Sequence, residues 1–189
     1  VYFIFGSHRA FAWSTDMQNW NYFQNNINND TTCQALFKDA FNWAKQGDAS
    51  YQWDGNLWAP DVIWNPDYVN SDGSKGAWCM YMSINGNSWN SSIVLLTSDD
   101  LDGDWTKRGT VVYSGFTESG VHDYKDTDFA NVVGSDENAK KFISEHYKRG
   151  SYKPSYNDGK NVCSETNWNN YYGAHAIDPC VTYDSEGKL

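Results

Sequence analysis

Two aspartates stand close to short apolar segments in an otherwise polar sequence. Asp61 opens the segment Asp61–Trp64, and Asp178 lies two residues before the segment Cys180–Tyr183. Carboxyl groups held around one pocket can share acid and base roles, one protonating a leaving oxygen and another activating water. A third carboxylate nearby raises the pKa of the acid by like-charge repulsion. These residues therefore predict hydrolysis by general acid–base catalysis, provided that the fold brings carboxylates together.

The chain is polar yet rich in aromatic residues. Trp, Tyr and Phe number 10, 13 and 9 and make up 17% of its 189 residues, while the mean hydropathy is −0.73. Most of these rings are expected in the core, because aromatic side chains dominate packing energy. A few could line a carbohydrate cleft, since sugar rings stack their C–H faces on aromatic planes and pair their hydroxyls with Asp, Asn and Trp N–H groups.

The charge balance excludes some partners. Lys and Arg number 14 against 24 Asp and Glu, which leaves a formal net charge of −10. A polyphosphate backbone is repelled by such a surface, so nucleic acid is not an expected partner. No membrane association is expected either, because no stretch approaches the roughly 18 to 20 apolar residues of a membrane span. The length suits one domain with a real core, and we expect a monomer.

The pattern of apolar residues predicts an all-β fold. Runs of β-branched and aromatic residues alternate with clusters of Asn, Asp, Gly and Ser. The predicted strands are Tyr2–Ser7, Ala10–Ser14, Asn19–Phe23, Asp61–Trp64, Ala77–Ile84, Ser92–Ser98, Thr106–Tyr113 and Cys180–Tyr183. A helix is predicted only over Gln34–Lys45, where apolar residues fall near helical spacing and Gly47 supplies a stop.

The strands repeat as a unit. A strand that ends in Ser/Thr-Asp leads through a tight turn to a Trp that opens the next strand, in Phe11–Trp20 and again in Val94–Trp105. Each copy follows an aromatic strand that ends in a serine, Ser7 or Ser83. With an Asp-headed strand in front, the unit has four antiparallel strands, which is the blade of a β-propeller.

The repeat divides the chain into parts of three blades. Blade one is predicted at 1–23 without its first strand, blade two at 58–113, and the start of blade three at 176–189. Two long excursions, at roughly 24–56 and 114–175, are expected to form walls around one mouth of the channel, because loops of this length are usually functional.

Two motifs in this order resemble those of a known family. Gly55–Asp61 (GNLWAPD) and Ala176–Pro179 (AIDP), with the Ser-Asp…Trp turns between them, resemble glycoside hydrolase family 43, and most of all its arabinan-degrading enzymes. The matching stretches, about 1–23, 53–113 and 174–189, cover roughly half of the chain. The resemblance implies a five-bladed β-propeller that hydrolyses α-L-arabinofuranosyl or β-xylosyl linkages with inversion, using three acidic residues.

Within that family the first expectation is an endo-α-1,5-L-arabinanase that degrades arabinan in plant cell walls. A β-xylosidase active on xylan, or an α-L-arabinofuranosidase, is the alternative of the same class. A non-catalytic propeller that binds glycans is the alternative of a different class. The substrate or ligand in each case is a polysaccharide or oligosaccharide, and the protein is expected to be secreted, periplasmic or on the cell surface.

The resemblance also implies roles for particular residues. Asp178 would tune the pKa of the general acid and help to hold the sugar, although a turn-capping role is the simpler alternative. Trp58 would lie against the bound sugar, unless it is a wedge between blades. The resemblance further implies that the catalytic base belongs to a strand before Val1 and that the general acid is a glutamate in a blade beyond Leu189. The chain is accordingly expected to be a fragment of a longer protein.

Other candidates rest on position alone. Asp61 could contact substrate or could accept a backbone hydrogen bond between blades. Asn90 and Ser92 begin an inner strand and could offer an amide and a hydroxyl to the ligand, or could simply form a turn. His175 and His122 lie near the presumed mouth, where a solvated role is the alternative to a functional one.

No cofactor is expected to be required, although the resemblance allows a structural calcium ion. The acidic run Asp123–Asp128 could hold a cation or could be a solvated loop. Cys79 and Cys180 lie in apolar runs and are expected to be buried thiols. Cys33 and Cys163 lie in polar segments and could pair as a disulfide or remain unpaired.

Overall fold

The computed structural model of the chain describes residues 1–41, 53–86, 91–112 and 176–189. These residues form two antiparallel sheets and one α-helix, so the architecture is mostly β. The strands are β1 (Tyr2–Phe5), β2 (Phe11–Ser14), β3 (Asn21–Tyr22), β4 (Trp53–Val69), β5 (Lys75–Gly86), β6 (Ser91–Ser98) and β7 (Thr106–Val112), and the helix is α1 (Asp30–Phe37).

The small sheet has the order β1-β2-β3. A single 3-10 turn at Ser7–Arg9 joins its first two strands, which pair in register from Tyr2 with Ser14 to Phe5 with Phe11. The turn after β2 is closed by side chains: Ser14 Oγ accepts the backbone N–H of Met17 at 2.9 Å. The sequence correctly predicts all three strands, with bounds too wide by a few residues.

The large sheet is a four-stranded antiparallel meander, β4-β5-β6-β7. This is the strand order within one blade of a propeller. Within the described residues neither sheet closes on itself, and the propeller and its blade boundaries stay predictions.

Strand β4 corrects one expectation. It begins at Trp53 and runs for 17 residues, so Asp61 lies in its middle and not at its head. Register shifts between Trp53 and Leu57 and between Trp58 and Asp61 let this irregular part of β4 remain paired with β5. The sequence prediction placed the start of the strand too late because Gly55 and Pro60 are typical of loops, and bulges accommodate them here.

Helix α1 begins earlier than predicted. The side chain of Asn29 accepts the N–H groups of Thr31 and Thr32 at 3.1 and 3.2 Å, so it caps a helix that starts at Asp30 and ends at Phe37. The prediction of Gln34–Lys45 was wrong at its start because this cap determines where the helix begins. Residues 38–41 form turns, and 42–45 lie outside the described residues.

The core lies between the two sheets and the helix. It includes apolar side chains from β2, the 24–41 segment, β4, β5 and β6. Fully buried members of its main cluster are Phe11, Ile27, Cys33, Phe37, Leu57, Met80, Met82, Ile84, Val94, Leu96 and Trp105. The first part of the predicted 24–56 excursion therefore contributes to the core.

The segment 176–189 contains no strand, so the predicted strand Cys180–Tyr183 was wrong. Asp178 has a φ of 53°, outside the extended region, and Pro179 has no N–H to give to a ladder. For the same reason Cys180 is an exposed thiol and not the expected buried one, whereas Cys79 is buried as predicted. Cys33 is a buried free thiol, and Cys163 lies outside the described residues.

Candidate functional site

The segment that carries Asp178 is tied to one face of the large sheet. Three of its backbone N–H groups donate to side-chain oxygens of β4, β5 and β6. The pairs are Ala176 with Ser91 Oγ at 2.8 Å, Asp178 with Ser83 Oγ at 3.0 Å, and Val181 with Asp61 Oδ2 at 2.6 Å. The hydroxyl of Tyr183 also donates to the backbone carbonyl of Trp64. Side chains of the sheet therefore decide where Asp178 lies.

The backbone of Asp178 is strained. Its φ of 53° is in the left-handed region, and it precedes Pro179, whose ring disfavours helical backbone at the preceding residue. Such a conformation costs on the order of 1–3 kcal/mol and persists only where the surroundings impose it. Here the hydrogen bond from the Asp178 N–H to Ser83 constrains the backbone of Asp178 directly. The side chain of Asp178 remains exposed.

Asp61 lies on the same face of the sheet, opposite Tyr81 in the register of β4 and β5. One of its oxygens accepts the Val181 N–H, which is the backbone role that the sequence left open. Burial raises the pKa of the neighbouring Tyr81 hydroxyl, so this phenol is a neutral hydrogen-bonding group at physiological pH. Asp61 thus brings a carboxylate to the site and also joins the Asp178 segment to β4.

Trp58 lies beside the serine that holds Asp178. It is the register partner of Ser83 in the pairing of β4 with β5. Its ring is half-buried and meets His8 edge to face, with centroids 6.5 Å apart. Its Nε1 is buried and has no hydrogen-bond partner in the described part of the chain. The structure therefore brings Trp58, Ser83 and Asp178 into one site.

Ala59 repeats the arrangement of Asp178. It also precedes a proline, has a positive φ of 38°, and donates its N–H to a serine, Ser7 Oγ, at 2.9 Å. The position that matches Asp178 is therefore Ala59 and not Asp61, the other aspartate that stands close to an apolar segment in the sequence. Sequence analysis assigned no role to Ser7, Ser83 or His8; the recurring serine at the end of each aromatic strand was the available signal.

Of the remaining predicted residues, the structure describes only Ser92, which does not join this cluster. Ser92 lies opposite Ile84 in β6 and is completely buried, with no partner for its hydroxyl among the described residues. Asn90, His175 and His122 lie outside the described residues. So does the acidic run Asp123–Asp128.

The described residues do not include a group of three or more His, Cys, Asp or Glu side chains arranged to hold a metal ion. The allowance for a structural calcium ion therefore stays a prediction. No helix among the described segments is long and apolar enough to span a membrane.

Comparison with known proteins finds similarity to an extracellular enzyme. The chain is 30% identical over 140 residues to an extracellular endo-alpha-(1->5)-L-arabinanase 2 of Bacillus subtilis (strain 168). The match covers 70% of this chain, and the chain spans about a quarter (26%) of the length of that enzyme. No protein-family model matches the chain. The comparison thus makes the chain a distant, partial homologue of an arabinan-cleaving glycosidase.

Proposed function

We propose that this protein is a glycoside hydrolase that cleaves arabinan, acting as an endo-α-1,5-L-arabinanase of glycoside hydrolase family 43. The observation that carries the proposal is the exposed Asp178, held in a strained conformation by Ser83 beside Trp58. Strain of this kind concentrates at active sites, where the position of one group matters more than local stability. The distant similarity to a Bacillus arabinanase supports the same substrate.

The proposed mechanism is a single displacement with inversion. A general acid protonates the leaving oxygen while a base activates water on the opposite face of the sugar. Asp178 acts as the third carboxylate: its negative charge raises the pKa of the acid, so that the acid keeps its proton near neutral pH. The acid and the base are not assigned to residues of this chain.

Trp58 supplies the binding surface in this proposal. A half-buried indole offers a flat apolar face to a sugar ring. Asp61, fixed to the Val181 N–H by one oxygen, contributes to the polar side of the same site. The reaction needs no cofactor, and we propose a monomeric five-bladed propeller that works outside the cell.

The test is hydrolysis of linear arabinan by the complete protein. Reducing ends should appear with mixed oligosaccharide lengths, and NMR of the first products should show an inverted anomeric configuration. Asp178→Asn should lower kcat by at least about 10²-fold with an unchanged circular dichroism spectrum. The matched control is Asp99→Asn, at an exposed aspartate in the turn after β6, which should retain full activity.

Other outcomes select the alternatives. Release of single sugars from xylo-oligosaccharides would indicate the β-xylosidase, and release of single arabinoses would indicate the α-L-arabinofuranosidase. Binding of arabino-oligosaccharides without cleavage would indicate a glycan-binding protein. Wild-type rates for Asp178→Asn would remove Asp178 from the mechanism.

A further inference from the structure

We propose that Ser83 is the positioning residue for Asp178: its hydroxyl fixes the strained backbone of Asp178 and thereby sets the location of the carboxylate in the site. The catalytic consequence of this assignment rests on the proposed function. The assignment itself rests on the geometry of two equivalent positions in the structure.

The first observation is the burial of the serine that accepts the bond. Ser83 is completely buried in β5, and its Oγ accepts the Asp178 N–H at 3.0 Å, joining positions 95 residues apart. A buried hydroxyl without a hydrogen-bond partner is unfavourable, so this bond favours the backbone conformation that places the Asp178 amide against Ser83. Without the bond, the extended conformation that Pro179 favours becomes accessible to Asp178.

The second observation is that the same hydrogen-bonding arrangement occurs at a second place in the structure. Ser7, in the turn after β1, accepts the N–H of Ala59, which also has a positive φ and also precedes a proline. At two places, therefore, a serine after or within a strand holds a left-handed residue that precedes a proline and lies far away in the sequence. Of the two residues held in this way, Ala59 has a methyl side chain and Asp178 has a carboxylate. The same backbone arrangement therefore positions a reactive group only at Asp178.

The third observation concerns the neighbours of Ser83. Ser91 and Asp61 hold Ala176 and Val181, on either side of Asp178, and neither bonds to Asp178 itself. Loss of Ser83 should therefore release Asp178 locally while the ends of the segment stay attached to the sheet. The effect should be a displaced carboxylate and not an unfolded segment.

The experiment compares Ser83→Ala with the matched control Ser14→Ala in the complete protein. Ser14 is equally buried, and its hydroxyl also accepts a backbone N–H, that of Met17 at 2.9 Å, but it lies in β2 and is not bonded to the Asp178 segment. Hydrogen exchange of the peptide that covers 176–183 should accelerate in Ser83→Ala and stay unchanged in Ser14→Ala. Unchanged exchange in both variants would overturn the proposal, whatever the protein hydrolyses.

The kinetic readout separates positioning from a structural role. On arabinan, Ser83→Ala should lower kcat by up to about 10²-fold with little change in KM, because a misplacement of about 1 Å is enough for such a loss. The basic limb of the pH–kcat profile should move to lower pH, since a displaced Asp178 no longer raises the pKa of the acid. Ser83→Thr, which keeps the hydroxyl, should restore the profile.

A double variant closes the test. Added to Asp178→Asn, Ser83→Ala should produce no further loss of kcat and no further shift of the basic limb, because Ser83 acts only through the Asp178 carboxylate. Additive losses, or faster exchange with an unchanged pH profile, would show that Ser83 is merely structural. If the wild-type protein does not cleave arabinan, the proposed function fails and the exchange comparison alone decides whether Ser83 holds Asp178.

Discussion

The side chain of Asn26 brackets the backbone of Trp105. Its Oδ1 accepts the Trp105 N–H at 2.9 Å, and its Nδ2 donates to the Trp105 carbonyl at 2.7 Å. The backbone N–H of Asn26 donates in turn to Asp104 Oδ1 at 2.8 Å. The Trp105 side chain is only 1% exposed. Asn26, which precedes helix α1, therefore fixes the backbone of a core residue at the point where the chain enters β7.

Asn26→Ala should therefore destabilise the protein by about 2 kcal/mol, because two backbone groups beside a buried indole lose their partners at once. Asn26→Asp keeps an oxygen that accepts the Trp105 N–H and loses only the donor to the Trp105 carbonyl, so it should lower the free energy of unfolding by less. Urea unfolding followed by Trp fluorescence measures the difference. Asn21→Ala, at an exposed position in β3, is the control and should stay within about 0.5 kcal/mol of the wild type. Equal effects at Asn26 and Asn21 would contradict the bracketing role.

Trp58→Ala should weaken binding of arabino-oligosaccharides about tenfold or more, which corresponds to about 1.4 kcal/mol of lost stacking. Trp58→Phe should recover part of the affinity, because it keeps an aromatic face of smaller area. Calorimetric titration in the Asp178→Asn background avoids cleavage of the ligand. The control is Trp64→Ala, which removes a 41% exposed Trp that packs edge to face on Trp78 in the same sheet. Unchanged affinity in Trp58→Ala would make Trp58 a packing residue.

The turn after β2 should make stability depend on acid pH through Asp16. Hydrogen bonds from the backbone and side chain of Asn19, then from the Gln18 N–H and the Ser14 hydroxyl, hold the pKa of Asp16 well below its usual range. The folded pKa is depressed, so the stabilisation is present above the unfolded pKa near 4 and is lost as pH falls toward the folded value.

The measurement is the free energy of unfolding of the wild type and Asp16→Asn at several pH values. The gap between them should be widest near pH 7 and should narrow below about pH 4. Thr15→Ala, at an exposed neighbour in the same turn, should show a gap that does not change with pH. If the difference in unfolding free energy between the wild type and Asp16→Asn did not change with pH, Asp16 would not be a source of the pH dependence of stability.

Gly76→Ala should destabilise the large sheet. Gly76 has a φ of 93°, and a Cβ there would lie 2.6 Å from Cζ2 of the Trp64 ring. Gly73 has a similar φ of 85°, but a Cβ there would meet no atom within 4 Å. Gly73→Ala therefore isolates the backbone strain, about 1 kcal/mol, and Gly76→Ala should exceed it by the cost of displacing the ring. Thermal unfolding of the two variants, alone and with Trp64→Ala, should show that the excess disappears once the ring is removed.

Most of the strands can be predicted from the sequence because their signal is local. Alternating apolar residues and the turn residues between them mark β1, β2, β5, β6 and β7 to within a few positions. The errors fall where non-local contacts override local preference. Bulges keep Gly55 and Pro60 within β4, and Asn29 starts the helix earlier than the apolar spacing indicates.

The candidate site shows the same division. Residue types and the order of the motifs are enough to single out Asp61, Trp58 and Asp178 and to suggest glycoside hydrolysis. Only the tertiary structure pairs Asp178 with Ser83 and matches it to Ala59 instead of Asp61. The reason is physical: these are hydrogen bonds from a backbone N–H to a side chain many residues away, and a positive φ before proline has no local sequence signature. The carboxylate can be recognised in the sequence, but its position is decided by a serine that only folding brings to it.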